Sequence, residues 1–134
     1  MSTLADISAG LATRLRTIAG LRVYQHEPDN LNDLPCAVIM PEKINYIMAA
    51  GGTGFEGTFR IALFTNSGVR EDAYTLLESY IAPSGASSVR AAVYGDGTLG
   101  ATVDAVIAFS IEGVRFVNPL ARCDFMLQFV KGVA

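Results

Sequence analysis

Tyr80–Val106, YIAPSGASSVRAAVYGDGTLGATVDAV, decides how this chain is read, because it is punctuated as connector and short helix and carries no catalytic constellation. The helical pattern before it stops at Pro83, whose ring removes a donor and forbids a further turn. A Ser/Gly joint follows. Ser87 or Ser88 can cap a helix of one to two turns, and Gly95 ends it. The Gly-spaced turn beyond feeds an alternating strand, Thr102–Glu112, with Val103, Ala105, Ile107, Phe109 and Ile111 on one face.

Working outward, the preceding helix is capped by Asn66 or Ser67, carries Glu71 and Asp72 in its first turn, and shows an apolar stripe at Ala73, Leu76, Leu77, Tyr80 and Ile81. On the other side Gly113–Pro119 reads as a turn. Arg122–Lys131 closes the chain as a strand, with Cys123, Phe125, Leu127 and Phe129 inward and Arg122, Asp124 and Gln128 outward.

The N-terminal half is read in the same way. Thr3 and Asp6 form a capping pattern, Leu4, Ile7, Leu11, Leu15 and Ile18 keep helical spacing, and Gly20 is the stop. Leu21–His26 is a short strand and Glu27–Pro35 a loop with two prolines. Cys36–Met40 is wholly apolar, as a strand covered on both faces is. Pro41 predicts a bulge or a strand switch. Beyond it Ile44, Tyr46 and Met48 alternate with Lys43 and Asn45, Ala49–Gly54 forms a tip, and Thr58–Thr65 returns with Phe59, Ile61 and Leu63 on one face. The order αβββ(β)ααββ gives an α+β fold: a mostly antiparallel sheet with helices packed on one face and a long protruding β-hairpin, Glu42–Thr65. Residues 1–134 read as one domain.

Composition narrows the function. Hydrophobic residues make up 51% and charged ones 17%, against about 25% charged in an average domain. Mean hydropathy is +0.35. So little charge leaves apolar surface to be covered by other chains, yet no run reaches the roughly 18 apolar residues of a membrane helix. The formal net charge is −3, Lys occurs only at Lys43 and Lys131, and no basic cluster grips a phosphate backbone. Arg14 and Arg16 suit the C-terminal end of the first helix. Cys36 and Cys123 read as buried free thiols, in keeping with a reducing compartment. MSTLADISAG lacks the basic-then-apolar pattern of a secretion signal, so the expected place of synthesis is a cytoplasm.

Candidate chemistry is thin. Gly52-Thr-Gly54-Phe-Glu-Gly57 and Gly95-Asp-Gly97-Thr-Leu-Gly100 both match G-x-G-x-x-G. That motif holds pyrophosphate when it opens a helix, and here each run leads into a strand, so these read as turn glycines. His26 beside Glu27 and near Asp29 is the one His–carboxylate pair, without a nucleophile motif near it. Asp29, Asn30, Asn32 and Asp33 lack the Gly and terminal Glu of a calcium loop. No cofactor, metal or enzymatic activity is expected.

The order and spacing of several pieces resemble the tail terminator proteins of long-tailed bacteriophages. The pieces are the N-terminal helix ending in GLRVY, the Pro-containing loop into Leu34–Met40, the tall hairpin, the Ile81–Gly85 joint, the DGTLG turn and the two closing strands. The resemblance spans nearly the whole chain. It implies a small subunit that assembles into a ring, typically a hexamer, on the end of the tail tube. The ring would end tube polymerisation and dock the head-completion (neck) protein. It implies no enzyme activity, no cofactor and no membrane, with DNA only passing through the lumen, and a place in the virion after assembly in the host bacterial cytoplasm. The basic and aromatic content of the hairpin tip is low for the family, so its loop contacts do not transfer. On physical grounds Tyr46, Met48 and Phe55, near the hairpin's outer end, are the candidate contacts to a neighbouring subunit or the tube. The turn Gly95–Asp104 is expected to face solvent, at the rim or lumen. Three other readings stay open: a head–tail stopper or another neck subunit, a ligand-binding or hydrolytic α+β domain using His26 and Glu27, and a dimeric bacterial adaptor.

Overall fold

The computed structural model describes residues 4–26, 35–46, 54–65, 70–95, 99–100, 103, 105–117 and 120–131. Eight elements follow in order: α1 (Leu4–Leu15), β1 (Arg22–Tyr24), β2 (Cys36–Tyr46), β3 (Phe55–Thr65), α2 (Arg70–Ile81), α3 (Val89–Tyr94), β4 (Ala105–Val117) and β5 (Leu120–Lys131). The strands form one five-stranded sheet in the order β1-β2-β3-β5-β4. β1 runs parallel to β2, and the other three pairings are antiparallel. This is the α+β architecture expected from the sequence.

The helices lie on one face. Strand register aligns Ala37 with Leu63 and Cys123, and Ile39 with Ile61 and Phe125. These side chains join Ile7, Leu11, Leu15, Leu77, Tyr80, Val89 and Val93 in one buried cluster. α2 rests on β3 and β5, while α1 packs on α3 and β1. Cys36–Ile39 are all buried, as a strand covered on both faces requires. Leu99 is also fully buried although its φ is +50°. A left-handed leucine costs about 1–2 kcal/mol, here held by a side chain locked in the core.

Local signals account for most element ends. Ser88 caps α3 by accepting from the Ala91 N–H at 3.1 Å. α2 stops at Ile81, two residues before Pro83. Gly20 has φ +80°, the left-handed value a stop requires. α1 itself ends earlier, at Leu15, because the chain tightens there: the Thr17 amide donates to the Arg14 carbonyl and the Ile18 amide to that of Leu15. The Thr17 hydroxyl donates to the same Arg14 carbonyl. Ile18 still points into the core.

Several expectations need correction. The Gly95–Asp104 turn, expected to face solvent, has Leu99 and Val103 buried among its described residues. Gly113 begins no turn: its φ of +67° sits in an irregularity between Glu112 and Arg115, through which β4 continues to Val117. Gly57 is no turn glycine but lies inside β3. Asp124, expected to face solvent, is 2% exposed. The predicted bulge is present, as a register shift in β2 between Pro41 and Lys43. Of the expected tip Ala49–Gly54, residues 49–53 lie outside the described residues, and with them the expected protrusion of the hairpin, while Gly54 is buried. Over its described length the hairpin is not a free ribbon, since β5 pairs with β3 as far as Phe55↔Lys131.

Candidate functional site

The surface where Tyr46 and Phe55 meet is built from the bulge. The register shift after Pro41 presses the outer half of β2 down on β3, and Gly57 makes room for it. A Cβ on Gly57 would stand 2.6 Å from the Ile44 Cδ1 and 2.7 Å from the Lys43 carbonyl oxygen. On the opposite face Glu42 is gripped by Arg60, with Nε to Oε2 and Nη2 to Oε1 both at 3.1 Å. The same guanidinium donates to Asp124 Oδ2, and Arg122 Nε donates to Asp124 Oδ1 at 3.0 Å. Arg122 also lies over the Phe64 ring, 5.1 Å from its centroid. β2, β3 and β5 are thus riveted together by one acid–base chain. The Arg60 hydrogen bond holds the Glu42 carboxyl below its ordinary value. Hydrogen bonds to Glu42 and then Asp124 raise the Arg60 guanidinium. With both arginines committed to carboxylates, the chain is a clamp and offers no anion site.

So fixed, the helix-side face of this end carries a run of rings from core to surface. Phe59 stacks on Phe129 at 5.3 Å, Phe129 meets Phe55 edge-on at 5.8 Å, and Phe55 lies 6.5 Å from Tyr46. Phe59 and Phe129 are buried, Phe55 is half-buried, and Tyr46 is 67% exposed. Two of the sequence-predicted contacts, Tyr46 and Phe55, are therefore side by side, directly paired across β2 and β3. The third, Met48, lies outside the described residues.

A second apolar surface, not foreseen from the sequence, lies at the opposite edge of the sheet. Between α3 and β4 runs a groove of about 280 Å³ lined by Arg90, Val93, Tyr94, Val106, Ala108 and Phe109. Tyr94 is 79% exposed, with the Arg90 guanidinium 5.6 Å from its ring centroid. Along the same strand Ile111 and Val114 are exposed. The clue available in the sequence was the run of apolar residues in the alternating strand Thr102–Glu112, but its register was not. The step between Val106 and Ala108 shifts the phase.

The chemical candidates do not converge. His26 is exposed just past β1, and Glu27 and Asp29 lie outside the described residues. Among the described residues no three His, Cys, Asp or Glu side chains come together. Of the first glycine run, Gly57 belongs to β3. Of the second, Gly95 ends α3 and Gly100, φ +73°, precedes β4, so neither described part opens a helix. Arg14 reaches across from α1, its Nε donating to the Ala92 carbonyl of α3 at 2.9 Å, so this cation serves a second helix end as well as its own. Cys36 and Cys123 are free and buried. Burial, helped by the Asp124 charge and opposed by Arg122, pushes the Cys123 thiol up to about 12, so it is no nucleophile. No helix among the described residues is long and apolar enough to cross a membrane. No known protein-family model matches the chain, and neither does any curated protein.

Proposed function

We propose that this chain is a structural virion protein. It forms a ring that caps a bacteriophage tail tube, ends the tube's polymerisation and presents a docking surface to the head-completion protein. Its partners on this reading are further copies of itself, six to a ring as the family resemblance implies, the tube protein and the neck protein. DNA only passes through the lumen.

The observation that carries the reading is the unevenness of apolar cover. The core beneath the helices is sealed, whereas Tyr46, Tyr94, Ile111 and Val114 stand exposed at the two sides of one sheet. A ring needs two different, complementary patches on each subunit, since a head-to-tail contact closes only by repeating. The order of sequence features shared with tail terminators supplies the biological setting. The formal net charge of −3 suits a wall along which DNA slides without sticking.

The test is electron microscopy of tails assembled with and without this protein. Tubes of regulated length with a terminal ring are expected in its presence, and overgrown, uncapped tubes in its absence. Tube length that stays regulated without it contradicts the reading. A label on the chain found at the head side of the neck assigns it to the stopper instead.

A further inference from the structure

We propose that copies of this chain join through their sheets. The outer edge of β4 in one copy, Val106–Ile111, runs antiparallel beside Ile39–Ile44 of β2 in the next, and that copy's Tyr46 ring leans into the Val106 end of the α3–β4 groove. The inference rests on the assembly reading above and names the joint.

Two stretches of strand edge have no partner among the described residues. β1 covers β2 only at Cys36–Val38, so no described residue pairs with the outer side of Ile39–Tyr46. β4 is the last strand of the sheet, and no described residue pairs with its outer side either. Edges in monomeric proteins are commonly blunted by shortness, charge, proline or a bulge, and β2 carries the last three at Pro41–Lys43, so the barer edge is that of β4. β1 is three residues long. By contrast β4 is 13 residues long, and from Val106 to Val114 its one charged residue is Glu112.

Direction and level agree with the joint. Three successive antiparallel pairings, β2–β3, β3–β5 and β5–β4, make β4 run opposite to β2. Setting copies side by side therefore brings together, in antiparallel sense, the two edges that no described residue pairs. Register places Lys43, Thr58, Gln128 and Ala108 in one row, and Ile39, Ile61, Phe125 and Ile111 in another. A rotation about an axis along the strands, with no shift, lays Ile39–Ile44 of one copy beside Val106–Ile111 of another.

The faces agree as well. Tyr46 is paired with Phe55 on the helix side of the sheet, and the groove opens on that side, between α3 and β4. Val93, Val106 and Phe109 give the groove apolar walls, and Arg90 supplies a cation beside an incoming ring. One copy therefore carries an exposed aromatic at one sheet edge and a groove that admits an aromatic side chain at the other. Because the two patches differ, the contact is head-to-tail and propagates until it closes.

Cysteine cross-linking tests the joint on the full chain, the native thiols being buried. Lys43→Cys protein is mixed under oxidising conditions with Ala108→Cys or with Ser110→Cys, which allows for a slip of one pair. A disulfide requires Cα atoms within about 7 Å. The expected result is a cross-link in one of the two mixtures and in neither parent alone. The corresponding double variant should then give a covalent ladder that stops at the ring size. Tyr46→Ser should weaken self-association about tenfold or more, with an unchanged circular dichroism spectrum. A ring that forms without a cross-link in either register overturns the joint and leaves the capping function standing. A cross-link within a single variant shows a two-fold contact and overturns it too. Sedimentation as a monomer at every concentration, with or without tube protein, also overturns the joint, and the tube-length assay then decides the function separately.

Discussion

β5 and β4 lie next to each other in one sheet and carry similar side chains, yet they end in different environments. In β5 Phe125 and Leu127 are 1% and 0% exposed, whereas in β4 Ile111 and Val114 are 39% and 50% exposed. Phe109 stacks on Phe125 at 5.4 Å and is half-covered, marking the boundary between the two regimes. The alternation of a strand fixes which face is apolar, and only the layer above decides whether that face is sealed. α2 supplies that layer over β3 and β5. Over β4 the described cover is partial, with α3 facing Val106 and Phe109 across the groove, and in the proposed joint a neighbouring copy supplies the rest.

The comparison breaks first at its core. Phe125→Ala should cost about 3–5 kcal/mol, as large-to-small changes in closed cores do. Ile111→Ala in the same sheet should cost well under that, read as a shift in urea midpoint. Equal losses at the two positions would mean that β4 is as sealed as β5. Next in size is Asp124→Ala, which strips the shared carboxylate from Arg60 and Arg122 and should cost about 2 kcal/mol. The cost stays moderate because both arginines are about a quarter exposed. Ser88→Ala removes the α3 cap, an expected loss of about 1 kcal/mol. That change also tests whether a firm α3 is needed for the groove to admit a partner.

Smaller still, at neutral pH, is the effect of the Cys123 thiol. Its folded value of about 12 lies above the ordinary ~8.5. The unfolded chain therefore loses its proton first, and the contribution to stability is whole below ~8.5 and is lost as pH rises towards 12. A Cys123→Ala variant should show a shallower decline over that window. The native thiol should resist alkylation at pH 8 and react once denatured.

Much of the core was legible in the sequence and much of the proposed joining surface was not. The stripes of α1 and α2, the Ser88 cap, the bulge after Pro41 and the inward set of β5 are local signals, each set by residues a few positions apart. Asp124 failed because its partner Arg60 is 64 positions away and meets it only through the β3–β5 register. The i, i+2 pair Arg122 and Asp124 on one strand face was the only local trace. Gly113 failed because a glycine near a proline reads as a turn, while its left-handed φ serves a bulge inside β4 just as well. The pairing of Tyr46 with Phe55 was legible because alternation on both sides of the expected tip implies pairing across a hairpin. The α3–β4 groove was missed since it joins two elements whose contact depends on the whole sheet order.

Hydrogen–deuterium exchange on β4 and β5, followed as protein concentration rises and again on capped tubes, tests the unfinished edge most directly. The account predicts that amides of Leu120–Lys131 are protected throughout, while outward-pointing amides of Ala105–Glu112 exchange fast in dilute protein and become protected on assembly. If those β4 amides exchange equally fast at every concentration and on the tube, no neighbour completes the sheet and the account is wrong.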